Sequence, residues 1–299
     1  MTGDQAILIL GPTASGKTNL AVGLARSLGG EIVSVDSRQV YRKMDLGSGK
    51  DLDAYGSIPY HLIDLLDPGQ EFSLFQFLEA CQMALASLHQ RHVRPILAGG
   101  TGLYLNALLK GYRLTRAEVD EGLRQSLAQK TDAELVAQLG SLRALHNTTD
   151  TQDRNRMIRA IEIALAESQS APFVQIQLDT RVIGLRIDAD HLRQRIVNRL
   201  KQRLEGGLVE ETQALRASGV DDQWLNSIGL EYRYLVRYLR QELNYNDMQQ
   251  KLASEIYRFA RQQMKWFRRM EREGVAIHWL DAEEAPLASA LEWLERNEQ

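Results

Sequence analysis

The chain has 299 residues, 44% of them hydrophobic and 25% charged, and a net charge of −3, which fits a globular protein of one large or two modest domains. Its one cysteine, Cys81, excludes an internal disulfide and a cysteine-rich zinc site and fits a reducing compartment. No apolar run approaches the roughly 20 residues of a membrane span, and the first strand begins too early for a signal peptide, so the expectation is a cytoplasmic protein with no membrane partner.

An apolar run from Ala6 to Leu10 leads into Gly11-Pro12-Thr13-Ala14-Ser15-Gly16-Lys17-Thr18, and a helical pattern follows from Asn19 to Leu28. Strand, glycine-rich loop and helix start, in that order, are the context in which this spacing grips a di- or triphosphate. Gly11 and Gly16 let the backbone turn its amides inward, Lys17 reaches the oxygens as a point charge, and the Thr18 hydroxyl is the expected ligand of Mg2+. A second strand, Glu31 to Val35, delivers Asp36-Ser37-Arg38-Gln39-Val40-Tyr41 at the C-terminal edge of a parallel sheet, where open α/β folds bind ligands. By position alone Asp36 reads equally well as a turn cap. Moving an electrophile from a diphosphate to an amine or hydroxyl needs one positioned base, however, and no Ser-His-Asp set or metal-spaced histidine pair competes for that role. His61, within Pro59-Tyr60-His61-Leu62-Ile63-Asp64, reads as structural.

The next strand, Pro95 to Ala98, runs into Gly99-Gly100-Thr101-Gly102-Leu103-Tyr104, where a nucleotide hydrolase would place a magnesium-holding Asp. Its absence points to the diphosphate as a leaving group. From Thr115 to about Gln169 the pattern is helical alone, and strand patterning returns at Val182 to Ile187 and Val275 to Trp279. The expected architecture is α/β: a phosphate-loop parallel sheet flanked by helices, residues 1–113 and 179–299, interrupted by an all-helical insertion, residues 114–178. Asp190 is a candidate N-cap and Gly206-Gly207 a break between helices. Basic residues gather at Arg154, Arg156 and Arg159, at Arg193, Arg195, Arg199, Lys201 and Arg203, and at Arg258, Arg261, Lys265, Arg268 and Arg272, the last set on one helix face with Tyr257, Phe259, Trp266 and Phe267 interleaved. A single such helix is most simply a solvated face over a core stripe. Three clusters on an acidic chain have the character of a phosphate-backbone footprint.

The ordered series of motifs resembles the tRNA dimethylallyltransferases, also called tRNA isopentenyltransferases, over nearly the whole chain. It comprises Gly11 to Thr18, Val35-Asp36-Ser37 with Gln39-Val40-Tyr41, His61-Leu62-Ile63-Asp64, Gly99 to Tyr104, Arg159-Ala160-Ile161-Glu162, Ser227-Ile228-Gly229, and Arg261 to Arg268 ending in Trp266-Phe267-Arg268. The resemblance implies transfer of a dimethylallyl group from dimethylallyl diphosphate to the exocyclic amine of adenine 37 in tRNA. It implies Gly11, Pro12, Thr13, Ala14, Ser15, Gly16, Lys17 and Thr18 around the diphosphate with Mg2+, Lys17 neutralising the leaving group, Asp36 as base and Thr101 positioning the adenine. Ser37, Arg38 and Gln39 would touch neighbouring nucleotides. Arg124, Asn155, Arg156 and Arg159 of the insertion, with Arg261, Lys265 and Arg268 of the core, would hold the anticodon stem-loop. A monomer is expected. The chain departs from the family pattern at Ile256-Tyr257, at Leu230, at Gln213, and at Gly47-Ser48-Gly49-Lys50, where Gly-Thr-Ala-Lys is common; the insertion is also short. Two rival classes share the loop and the Asp. One is an adenylate isopentenyltransferase, which would need neither the insertion nor the basic helix; the other is a small-molecule phosphotransferase.

Overall fold

The computed structural model describes residues 5–142, 153–169 and 171–297. Contacts divide the chain into two compact units, Met1–Lys110 with Gln177–Gln299, and Gly111–Ile176. Strands β1 (Ala6–Leu10), β2 (Glu31–Val35), β3 (Tyr60–His61) and β4 (Pro95–Gly99) precede the second unit, which contains β5 (Leu114–Thr115) and β6 (Phe173–Val174); β7 (Thr180–Arg186) and β8 (His278–Asp281) follow it. Six of them form one sheet in the order β3-β2-β4-β1-β7-β8, with every neighbouring pair parallel. Every residue of β1 and β2 is buried, as the near-continuous apolar runs of a sheet covered on both faces require.

The strand order sets the site. Because β4 lies between β1 and β2, with Ile9 opposite Ala98 and Val35 opposite Gly99, the loops leaving the C-terminal ends of these three strands emerge side by side. Helix α1 (Lys17–Leu28) packs Leu20, Ala21, Leu24 and Ala25 onto the sheet, and α12 (Pro286–Asn297) adds Ala290 and Leu294 to the same core. The 17-residue α2 (Leu74–Gln90) starts at a reciprocal capping box of Ser73 and Gln76, and α3 (Gly102–Leu109) continues from the β4 loop.

A second core joins α7 (Ala189–Glu205), α8 (Leu208–Ala217), α10 (Leu230–Leu239) and α11 (Tyr245–Arg272) through Leu192, Ile196, Leu200, Leu208, Leu235 and Leu252. Short α9 (Asp222–Ile228) leads into α10. Helix α11 buries a stripe of Met248, Leu252, Ile256, Ala260, Phe267 and Met270, and Gln263 lies within that stripe. In the second unit α4 (Glu121–Ala128), α5 (Asp132–Leu142) and α6 (Arg154–Ser168) close their own core around Leu127, Leu135, Leu139, Met157 and Ile161.

Four expectations need correction. The last strand is His278–Asp281 instead of Val275 to Trp279, because the Val275 N–H donates to the Met270 carbonyl at 3.0 Å and so closes the end of α11. The cap of α7 is Asp188, whose Oδ1 accepts from Asp190 N at 2.8 Å and His191 N at 3.3 Å. The second unit is not helical alone: β5 and β6 pair antiparallel, Leu114 opposite Val174 and Thr115 opposite Phe173. Strand β3 was also missed, and two residues are too few for any alternation to register. Gly206 and Gly207 do separate α7 from α8, the second glycine at φ 103°. Among the described residues no helix is long and apolar enough to cross a membrane.

Candidate active site

The loop after β1 wraps back on itself, with Ser15 N donating to Pro12 O at 3.2 Å, and α1 begins after Gly16 at φ 95° with no side-chain cap. Its first amides are therefore left for an anion. Lys17 Nζ donates to the Pro12 carbonyl at 2.7 Å. Burial first, and the Arg199 guanidinium second, lower the Lys17 ammonium from 10.5 to about 7, while Asp36 pulls the other way. A bound anion would push an amine lowered in this way back toward its charged form.

Asp36 caps the turn, as its position allowed, and also faces the site. Its Oδ1 accepts the Arg38 N–H at 2.9 Å, closing an Asx turn, and its carboxylate lines two neighbouring pockets. One pocket holds Thr13, Lys17, Thr18, Arg199 and Arg203; the other holds Thr101, Gly229, Leu230, Phe259 and Trp266, and Asp36, Arg38 and Gln263 border both. Arg38 pairs with the buried Glu231 at 3.1 Å, lies 3.9 Å from Asp36 and sits 5.8 Å from the Phe259 ring centroid. Thr101 Oγ1 accepts the Ser37 N–H at 3.2 Å, which fixes the β2 loop against the β4 loop. Gln39 accepts from Ser34 Oγ at 2.7 Å and donates to the Gly49 carbonyl at 3.2 Å, so its amide is occupied in shaping the loop.

Three positioning residues escaped the sequence reading. Gln263 is buried on α11, where Oε1 accepts from Thr13 N at 2.8 Å and Nε2 donates to Gly100 O at 2.9 Å, tying the phosphate loop to the β4 loop. A polar residue in the buried stripe of an amphipathic helix was the available signal. Lys50 is wholly buried, donating to Tyr41 O at 2.8 Å, Asp45 Oδ1 at 2.6 Å and Asp64 Oδ1 at 2.5 Å. Glu211 accepts the amides of Asp45 and Leu46 at 2.8 Å, that of Gly47 at 3.0 Å, and the Tyr232 hydroxyl at 2.8 Å. Together they hold residues 41–50 as a wall of the first pocket.

The three basic clusters separate by environment. On α7, Arg195, Arg199 and Arg203 recur every fourth residue and turn toward the phosphate loop, Arg195 Nη1 lying 3.4 Å from Ser15 O, whereas Arg193 and Lys201 are exposed. The footprint reading of that cluster is thus corrected for its inward stripe. In the second unit Arg124 and Arg159 both grip Glu162, at 2.7 and 2.8 Å, and that carboxylate is only 2% exposed. Arg159 also donates to Ala117 O at 2.6 Å, and Arg154 is held by Asp132 at 2.5 Å. These guanidiniums build the unit, while Asn155 and Arg156 face solvent. On α11, Arg261, Lys265 and Arg268 are exposed, and the last two line a groove with Glu271 and Arg272. Of the departures, Ile256 is core, Tyr257 lies 4.6 Å beneath Arg193, Gln213 is exposed and Leu230 borders the second pocket. His61 is structural: Nε2 lies 2.7 Å from Glu31 Oε2, and Arg91 grips the same carboxylate.

Among the described residues no cluster of three His, Cys, Asp or Glu is arranged to hold a metal ion. Thr18 and Asp36 share the first pocket, and Ser15 Oγ in the same loop is buried without a hydrogen-bond partner among the described residues. So sparse a set of oxygen donors fits a hard cation that arrives with phosphate oxygens and keeps most of its water.

Fold and loop define a protein of the phosphate-loop α/β class. A family model described as IPP transferase matches residues 39–270, and one described as isopentenyl transferase matches residues 4–55. A tRNA dimethylallyltransferase 1 of Hahella chejuensis is 60% identical over 293 residues, 98% of this chain and 97% of its own length. A tRNA dimethylallyltransferase 2 of Trichlorobacter lovleyi is 54% identical over 289 residues, covering 95% and 94%. The crystal structure of a tRNA isopentenylpyrophosphate transferase from Bacillus halodurans superimposes with TM-score 0.70 at 30% identity, over 98% of this chain and 95% of that one. A eukaryotic dimethylallyltransferase acting on tRNA gives TM-score 0.80 at 21% identity, over 98% and 79%, a likeness of fold. The chain belongs to the IPP transferase family.

Proposed function

We propose that this protein transfers the dimethylallyl group of dimethylallyl diphosphate to the exocyclic amine of adenine 37 in tRNA, releasing diphosphate, and that it works as a cytoplasmic monomer. The observation that carries the reading is Asp36 at the junction of a cationic pocket, with Lys17, Arg199 and Arg203, and a pocket walled by Thr101, Phe259 and Trp266. Diphosphate enters the first and the extruded adenine the second. The N–C bond forms as the C–O bond to the diphosphate breaks, and Asp36 takes the proton that the amine must lose. Lys17 and the first amides of α1 stabilise charge accumulating on the leaving group. Mg2+ held by Thr18 and the phosphate oxygens would add further neutralisation there.

An adenine stacked in an anticodon loop exposes no amine to such a pocket, so the base must leave the stack, at a cost of a few kcal/mol. Thr101 lines that second pocket with Asp36, Ser37 and Arg38, and Ser37, Arg38 and Gln39 would meet the flanking nucleotides. The exposed Arg261, Lys265 and Arg268 supply phosphate contacts on the core, and Asn155 and Arg156 supply them on the second unit, with Arg124 and Arg159 presenting their outer edges from the Glu162 pair.

The test incubates purified protein, Mg2+ and dimethylallyl diphosphate with unmodified tRNA bearing adenines at positions 36 and 37, and separately with AMP, followed by mass analysis of nucleosides. Prenylated adenosine from tRNA alone is expected. Prenylation of AMP alone would move the chain to cytokinin-type synthesis, and ATP consumption in a parallel incubation with ATP and no prenyl donor would move it to phosphotransfer.

A further inference from the structure

The departure at Gly49 has a structural counterpart on α7. Gly49 adopts φ +71°, and a Cβ there would lie 2.3 Å from Arg203 Nη2 and 3.0 Å from Arg199 Nη2. The backbone has no room to yield. Gly49 donates to Asp45 O at 3.1 Å, its carbonyl accepts from Gln39, and the next residue is the threefold-anchored Lys50. A side chain as small as methyl would therefore displace the Arg203 guanidinium. The absent Cβ is the slot in which Arg203 sits.

Arg203 is 12% exposed and lines the pocket of Lys17, Thr18 and Asp36. Among the described residues its one acceptor is Asp51 Oδ1 at 3.3 Å, and Arg199 bonds to the other oxygen of that carboxylate. Asp51 is itself 41% exposed, so it is a weak counter-ion for two guanidiniums. Asp36 and Glu231 are engaged by Arg38. On the phosphate side, Arg199 and Arg203 thus share Asp51, and Lys17 has only the Asp36 carboxylate that Arg38 also approaches. The Lys17 ammonium is lowered by burial first and by Arg199 second, so a neighbouring guanidinium adds to the cost of charging it. A partly buried positive excess of this kind is relieved by a bound anion.

We propose that Arg203, admitted to the pocket by Gly49, is a binding residue for the diphosphate of the prenyl donor, and that Asp51 orients it together with Arg199. This rests on the transferase reading for the donor's identity, but its test uses inorganic pyrophosphate alone and measures binding. Failure of prenyl transfer to tRNA would overturn the first reading and leave the second measurable.

Calorimetric titration with pyrophosphate and Mg2+ compares the wild type with Arg203→Met, Arg203→Lys, Gly49→Ala and the Gly49→Ala/Arg203→Met double variant. A charge-assisted bond lost from a desolvated site predicts affinity weaker by about tenfold or more in Arg203→Met, with partial recovery in Arg203→Lys. Gly49→Ala should lose as much, and the double variant should be no worse than either single one, because both changes remove the same guanidinium. Binding of anticodon stem-loop RNA should stay within about twofold, and melting temperatures check that each variant is folded. Unchanged pyrophosphate affinity in folded Arg203→Met would make Arg203 a structural partner of Asp51 and overturn the proposal. Additive losses in the double variant would break the link to Gly49.

Discussion

Lys17 offers the sharpest test of the site's electrostatics. Burial and Arg199 lower its ammonium from 10.5 to about 7. At about pH 8 such an amine is only about one-tenth protonated, and a diphosphate favours the charged form, so binding should draw about 0.9 proton onto Lys17 there and about half a proton near pH 7. Calorimetry of pyrophosphate binding in two buffers of different ionisation enthalpy measures the proton number directly. Pyrophosphate has its own titration, so the informative quantity is the difference between wild type and Lys17→Met, which should equal the Lys17 contribution. The variant should also bind about 10- to 100-fold more weakly, as expected for one charged hydrogen bond of ~1.5–3 kcal/mol. The sign of the stability effect follows from the same shift. Between about pH 7 and 10.5 the folded state binds fewer protons at Lys17 than the unfolded one, so this residue makes stability without ligand rise with pH across that window. Equal proton uptake by wild type and variant would show that Lys17 is charged throughout.

Asp36→Asn keeps the oxygen that accepts from Arg38 N but cannot take a proton; kcat should fall about 10²- to 10⁴-fold while pyrophosphate and RNA affinities hold, and equal losses of rate and binding would refute the base assignment. Reversing charge at Arg261 and Lys265 should reduce the slope of log K against log salt for RNA binding by about 2 or more; an unaltered slope would make that face of α11 a merely solvated one. Glu162→Gln leaves Arg124 and Arg159 facing a neutral group and should destabilise the second unit by on the order of 3 kcal/mol in denaturant unfolding near neutral pH. Burial works to raise the Glu162 carboxyl and the bonds from the two arginines outweigh it, so its stabilisation is present above its unfolded value of 4.5 and is lost as pH falls through the lower folded one. The gap between wild type and variant should close on acidification, and a gap independent of pH would refute the pairing.

The parts legible in the sequence were those whose signal is local. Residues 11–18 declare their geometry because glycines, lysine and threonine act through one contiguous turn, and β1 and β2 show as unbroken apolar runs because both sheet faces are covered. Asp36 was legible for a related reason, since it stands at a strand's C-terminal end. What stayed hidden was long-range pairing. Nothing near Lys50 announces that Asp64 and Asp45 will both reach it, and Glu211 meets the amides of residues 45–47 only after α8 has folded against that loop. The basic clusters show the same limit. Their four-residue spacing on α7 is visible, but whether the stripe faces solvent or the phosphate loop depends on where Leu192, Ile196 and Leu200 pack.

The missing acidic residue after β4 can now be set against what occupies its place. The Gly100 carbonyl there accepts from Gln263, which also holds the Thr13 amide, so a neutral bridge stands where a hydrolase would anchor a metal and polarise water. The positive charge of that pocket comes instead from Lys17 and from Arg199 and Arg203 of α7. In the transferase reading proposed above, that layout would neutralise a departing diphosphate, and it leaves Asp36 as the carboxylate bordering both pockets. The bridge also lies on the same helix as Arg261, Lys265 and Arg268, two residues from each of the first two and on the opposite, buried face. The surface proposed to hold the nucleic acid and the residue that aligns the two loops therefore share one helix, so an acceptor seated on α11 as proposed would be registered against the phosphate loop through Gln263.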